Sequence, residues 1–206
     1  GHASVTPARL GCRPPAAMAD SPLLLLRAWA EATGRPGLAR RCDEYRDLSL
    51  AGCALELPGP TGERNRLHFA PRGPMLCLAG NGTELLEQLA AVWASGNRAV
   101  VGDDGRWESL FDVLPRSLAQ CIDRRGAGDF AGLAAILWQG DEAEARALRQ
   151  RLAAVSGPLI PWFTAAKPPG YYPLYRLVTE RAISTNTTAV GGNAALLTLA
   201  APPRST

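Results

Sequence analysis

Few residues of this chain have the types that carry catalysis, and their spacing decides what they can do. Gly80-Asn81-Gly82-Thr83 follows a short apolar run and opens an amphipathic stretch. That is the setting of a phosphate loop, in which backbone N–H groups at a helix N-terminus hold an anion. Asp103 and Asp104 follow the next apolar run, where an acid that binds a ribose hydroxyl would stand. Gly80, Gly82, Thr83, Asp103 and Asp104 are thus the candidate cofactor-binding residues. Against them, the third glycine of G-x-G-x-x-G falls at position 85, which is Leu85. A side chain of that size hinders close packing of the helix on the strand. The other glycine group, Gly126, Gly128 and Gly132, precedes a strand instead of following one.

Nucleophilic catalysis has less behind it. A Ser-His or Cys-His pair needs a base within reach, and His68 is the one histidine besides His2. It lies on an expected strand, where a solvent-facing residue is the simpler reading. Cys77 stands between Leu76 and Leu78 and reads as a small core hydrophobe. No G-x-S-x-G elbow occurs. Of the 22 basic residues only Lys167 is a lysine, and it sits in a proline-rich loop. No catalytic set is read from the sequence. Cys12, Cys42, Cys53, Cys77 and Cys121 are odd in number, dispersed, and without zinc spacing. They give neither a metal site nor a disulfide framework, and they point to a reducing, cytoplasmic setting.

The net charge of +3 is too small and too scattered for a nucleic-acid surface. Arg40-Arg41 and Arg124-Arg125 read as solvated pairs. No apolar run approaches the roughly 20 residues of a membrane span; Leu23-Leu24-Leu25-Leu26 stops at Arg27. The hydrophobic fraction of 47% supports a core, while 21 glycines and 17 prolines predict much loop. Gly1-His2 reads as a tag scar, and residues 1–20 as a disordered lead-in.

The elements that must position these residues follow from periodicity. Residues 21–52 are a helical start, with Ser21 as N-cap and Pro22 at the first turn, then a second helix around Arg40–Leu48. Residues 54–69 read as a β-hairpin around Gly59-Pro60-Thr61-Gly62-Glu63. Residues 73–165 alternate strand and helix: strands at 74–79, 98–101, 133–138 and 159–163, helices at 83–95 (N-cap Thr83), 107–122 and 141–155 (N-cap Asp141). Alternation of this kind means βαβ crossovers. The expected fold is α/β, a Rossmann-like three-layer α/β/α with a mainly parallel sheet, a β-hairpin and an extended C-terminal tail over 166–206. Tyr171, Tyr172 and Tyr175 read as a packed loop or interface. Residues 183–199 are β-prone and uncharged, expected to pair as a strand with something outside the core.

Two stretches carry a family likeness. Gly59-Pro60-Thr61-Gly62-Glu63-Arg64-Asn65, with Phe69-Ala70-Pro71-Arg72-Gly73 and Met75-Leu76-Cys77-Leu78, resembles the C-terminal region of long bacterial PutA (proline utilization A) proteins. So does the run from Ile183 through Thr185, Asn186, Thr187, Gly191, Gly192 and Asn193 to Leu197. The resemblance implies a parent joining an FAD-dependent proline dehydrogenase to an NAD-dependent L-glutamate γ-semialdehyde dehydrogenase. It implies that residues 21–165 are an aldehyde-dehydrogenase-superfamily Rossmann-like domain and 166–206 a docking motif. The parent would be cytoplasmic, with peripheral membrane association left open. Aldehyde dehydrogenases carry a Trp-Asn pair after the first Rossmann strand and a lysine after the second. Here those places read Ala79-Gly80-Asn81-Gly82 and Gly102-Asp103-Asp104-Gly105. The expected role is a non-catalytic accessory domain, without a cofactor of its own, that covers the dehydrogenase module and supports its activity and substrate channelling. Two other readings stay open: a Rossmann module that retains NAD binding, and an unrelated scaffold. In the isolated chain the tail is expected either to pair with a neighbouring copy, giving a homo-oligomer, or to be disordered.

Overall fold

Helix formation starts at Ser21-Pro22 for two agreeing reasons. The Ser21 hydroxyl accepts the Leu24 N–H at 3.4 Å, and Pro22 sits in the first turn, where a missing N–H costs nothing. The computed structural model describes residues 5–12, 21–165 and 170–187. Helix α1 (Pro7–Leu10) is followed by α2 (Pro22–Ala32) and α3 (Pro36–Leu48). Then come β1 (Ala54–Leu57), β2 (Glu63–Pro71), β3 (Pro74–Leu78), α4 (Gly82–Ala94) and β4 (Arg98–Gly102). Two short helices, α5 (Glu108–Phe111) and α6 (Arg116–Ala119), lead to β5 (Ile122–Arg125), β6 (Ala135–Trp138), α7 (Glu142–Ala153) and β7 (Trp162–Phe163). The described chain closes on β8 (Val178–Asn186).

Five strands form one parallel sheet in the order β5-β4-β3-β6-β7. The chain winds outward from β3 in one direction, then returns to its other side. The two β3 neighbours therefore leave a switch point between β3 and β6, where ligands of such sheets bind. Side chains alternate across the sheet as a period of two requires. Met75, Cys77, Ala99, Val101, Ala135 and Leu137 face the layer of α2, α3 and α4. Leu76, Val100 and Ile136 face the opposite layer, where Leu148 of α7 packs with Phe130 and Leu133. The expected three-layer α/β/α fold is what the chain adopts.

The remaining strands form a separate antiparallel sheet, β1-β2-β8. Ala54 pairs with His68, and β8 runs along the whole of β2, from Val178 opposite Pro71 to Asn186 opposite Glu63. A small cluster of Leu50, Cys53, Phe69 and Val178 roots this sheet. Asn97 joins the two sheets. Its Oδ1 accepts the Arg72 and Gly73 N–H groups at 2.7 and 3.0 Å, and its Nδ2 donates to the Leu177 carbonyl at 2.8 Å. Those bonds pin the turn into β3 and the entry into β8 to one buried side chain.

Several expectations change. The segment expected as one helix over 107–122 is two short helices split at Pro115, and its end begins β5. β5 is an edge strand that buries only Ile122, so Asp123-Arg124-Arg125 shows no apolar run to reveal it. The last strand shrinks to Trp162–Phe163, because Pro158 and Pro161 have no N–H to donate; Leu159 is 97% exposed. The strand at 133–138 begins at Ala135. The tail strand begins at Val178, before the expected residue 183, and through Asn186 pairs with β2, outside the 73–165 core; residues 188–199 of the expected strand lie outside the described residues. Its residues 183–186 are already hydrogen-bonded at home on one edge.

Candidate functional site

The loop after β3 is built by capping. Asn81, not Thr83, is the N-cap of α4: its Oδ1 accepts the Glu84 N–H at 3.0 Å, in extended backbone (φ −152°). Thr83 lies exposed in the first turn. Glu84 reaches back, and its Oε2 accepts the Gly80 N–H at 2.7 Å. A Cβ on Gly80 would stand 2.9 Å from that oxygen, so a side chain there would push the carboxylate aside. The Gly80 carbonyl accepts Nη2 of Arg106 at 2.6 Å. Leu85 is fully buried against the sheet. The helix start therefore holds a carboxylate of its own chain where a phosphate loop would hold a ligand's anion.

Asp103 and Asp104 are exposed on the loop after β4. The Asp103 N–H donates to the Arg125 carbonyl at 2.8 Å, and its carboxylate lies 3.7 Å from Arg124. Asp104 accepts the Arg106 N–H at 3.1 Å in a local turn. Between the ends of β3 and β6 lies an open crevice of about 320 Å³. Its walls include Gly80, Asp104, Arg106, Trp138, Glu144 and Arg151. Of the candidate residues, Gly80 and Asp104 line this crevice, among charges of both signs, and Gly82, Thr83 and Asp103 do not. Glu144 is itself engaged, closing a capping box with Asp141.

A second polar assembly lies on the other side of the sheet, where Tyr171 and Tyr172 form the packed loop expected of them against partners that the sequence did not reveal. Tyr45 Oη donates to Oε1 of Glu87 at 3.1 Å and accepts the Tyr172 N–H at 3.1 Å. Gln88 Nε2 donates to the Tyr172 hydroxyl at 2.9 Å and to the Leu78 carbonyl at 3.1 Å. Arg41 lies 4.1 Å over the Tyr171 ring and 3.6 Å from Glu87, so it is a packing residue rather than a solvated one. Burial holds both the Tyr45 and Tyr172 phenols well above the usual tyrosine range. The tyrosine group is a packed clamp, holding the segment before β8 on α3 and α4. The signal was the pairing of Tyr45 with a Tyr-rich loop some distance away, which no local pattern announces.

His68 is half-buried on β2 and lies opposite Arg181 of β8. Cys77 is buried, and burial raises its thiol. Thr185 and Asn186 end β8, opposite Arg64 and Glu63, and the Thr187 N–H donates to the Gly62 carbonyl at 2.7 Å. Gly191, Gly192, Asn193 and Lys167 lie outside the described residues. Among the described residues no three His, Cys, Asp or Glu side chains are grouped to hold a metal, and no helix is long and apolar enough to cross a membrane.

No protein-family model matches the chain. It is 38% identical over 180 residues to the bifunctional protein PutA of Escherichia coli (strain K12), a match covering 86% of this chain and 14% of that protein. The chain is a PutA-related domain. It spans about a seventh of that PutA's length. A solved mutant proline utilization A from Bradyrhizobium japonicum superimposes with a TM-score of 0.55, at 18% identity, over 80% of this chain and 22% of that one. The NADP-dependent glyceraldehyde-3-phosphate dehydrogenase of Bacillus halodurans C-125, solved with NADP, gives a TM-score of 0.50 at 15% identity, over 72% and 40%. The PutA-related chain thus has the Rossmann-type fold of aldehyde-dehydrogenase-like domains.

Proposed function

We propose that this PutA-related domain is a non-catalytic accessory domain of an enzyme that oxidises proline to glutamate. In that enzyme FAD serves the proline dehydrogenase and NAD the semialdehyde dehydrogenase, both held by other parts of the polypeptide. The domain covers the dehydrogenase module, supports its activity and helps close the route by which the intermediate is channelled. The observation that carries this reading is the Gly80 N–H, already bonded to the Glu84 carboxylate. A pyrophosphate arriving there would displace that bond and meet a like charge. Leu85 stands where a third glycine would let the helix approach, and Asp103-Asp104 stand where the resembled dehydrogenases carry lysine. The residues of this corner do not suit a dinucleotide.

Docking is supported from the other sheet. β8 is an edge strand, exposed from Glu180 to Asn186, with Ile183 51% exposed. Its outer edge can accept another strand, and the dehydrogenase module is the proposed occupant.

NAD⁺ tests the reading. A ligand that binds only the folded state at about 100 times its dissociation constant adds about 2.7 kcal/mol. In a chain of this size that raises the thermal midpoint by roughly 5–10 °C. The reading predicts a shift below about 1 °C with about 5 mM NAD⁺. A saturable rise, larger still in Glu84→Arg at the loop, would favour the nucleotide-binding alternative.

A further inference from the structure

Cys12 and Cys53 are far apart in the chain and adjacent in the fold. Helix α1 brings the first into place. Thr6 caps its start, Gly11 ends it at φ +66°, and the Cys12 N–H donates to the Pro7 carbonyl at 3.1 Å. Leu10 and Cys12 then pack onto the cluster of Leu50, Cys53, Phe69 and Val178. The second thiol is held as firmly. The Cys53 N–H donates to the Leu50 carbonyl at 2.9 Å, and its carbonyl accepts the Phe69 N–H at 3.0 Å. Both thiols thus lie in one cluster, and Cys12 is close enough to help raise the Cys53 thiol. All five thiols of the chain are free.

We propose that Cys12 and Cys53 form a reversible disulfide that fastens the α1 segment to the root of the β1-β2-β8 sheet. The oxidant is a low-molecular-weight disulfide such as glutathione disulfide. The half-exposed Cys12, as thiolate, attacks one sulfur of that disulfide, forming a mixed disulfide and releasing one thiolate. Cys53 loses its proton to solvent and attacks Cys12 Sγ, expelling the second thiolate. Two protein thiols are oxidised and one small disulfide is reduced to two thiols; excess reduced thiol reverses both steps. The second step is slow at neutral pH, because burial, with the neighbouring Cys12, pushes the Cys53 thiol up to about 12. The pair is therefore reduced in a thiol-rich setting and closes under sustained oxidation. Tyr175 and Val178 belong to the same cluster, so the closed form stiffens the entry to β8. The inference does not depend on what the domain docks to.

The test uses the chain with Cys121→Ser, which removes the other half-exposed thiol. After a day in glutathione disulfide, thiols titrated in denaturant should fall from four to two. A proteolytic map should show residues 12 and 53 cross-linked within one chain. The thermal midpoint should rise by roughly 5–10 °C and return on reduction. Adding Cys53→Ser should leave only a glutathione adduct on Cys12, with no rise. Four remaining thiols, or a stable adduct on Cys12 while Cys53 is present, would overturn the proposal.

Discussion

The corner at the end of β3 and the β1-β2-β8 sheet use their polar groups in opposite ways. At the corner, Gly80 N–H, Gly80 carbonyl, Asn81 and Glu84 are bonded to one another or to Arg106. The Gly80 and Glu84 N–H groups are thus already taken within the loop, and Leu85 seals the layer beneath. In the other sheet, β8 is exposed from Glu180 to Asn186 and, among the described residues, has a strand neighbour on one side. A Rossmann sheet ordinarily presents its switch point to a ligand and hides its edges. Here the self-satisfied surface is the switch point and the open one is an edge. The contrast is what an accessory role leads one to expect.

Truncating a leucine at the corner should have the largest effect. Leu85→Ala removes a fully buried side chain and should cost about 3–4 kcal/mol by chemical denaturation. A cost under about 1 kcal/mol would mean the helix–sheet contact is loose enough to admit a ligand.

Asn97→Ala attacks the joint between the two regions. It leaves the Arg72 and Gly73 N–H groups and the Leu177 carbonyl without their partner, and should cost about 2–3 kcal/mol. Hydrogen exchange should quicken in β8 more than in β3, since β3 keeps both its strand neighbours.

Alkaline pH should weaken the closed region next. Burial raises Cys42 to about 12 and lifts Cys77, Tyr45 and Tyr172 above their ordinary values. These groups keep their protons in the folded state while the unfolded chain loses them above about pH 9. The unfolded state then binds fewer protons, so stability falls as pH rises. The thermal midpoint should be flat from pH 7 to 8 and drop by roughly 5 °C by pH 10. A rising midpoint over that range would contradict the packing assigned to the tyrosine clamp.

Ile183→Ala should do least. With Ile183 half-exposed on an edge strand, the isolated chain should lose no more than about 0.5 kcal/mol. A cost near that of Leu85→Ala would mean the sheet's outer face is covered within the chain.

Much of the parallel sheet was legible because its central strands are continuous apolar runs bounded by caps, as at Met75-Leu76-Cys77 and the Asp141 helix start. Edge strands were not. Ile122-Asp123-Arg124-Arg125 needs only one buried side chain, so its composition is that of a helix surface. The candidate loop was placed correctly by Gly80 and Gly82, yet its chemistry turned on Glu84, four residues beyond Gly80. Only the folded geometry brings that carboxylate back to the Gly80 N–H. The cap went to Asn81 over Thr83 for a similar reason: either residue can cap, and the choice rests on where the backbone leaves the extended region. The β8 pairing depends on β2, more than 100 residues away, and no local pattern carries that information.

The central claim is that this domain acts through its open sheet rather than through its crevice. The most direct measurement deletes residues 183–206 from the full-length PutA-type polypeptide that carries this domain, and assays both activities. The account predicts that NAD⁺-dependent semialdehyde oxidation, or its coupling to proline oxidation without a lag, falls at least about tenfold, while proline oxidation stays within about twofold. Both activities surviving unchanged, in a protein whose thermal midpoint shows the domain still folded, would contradict it.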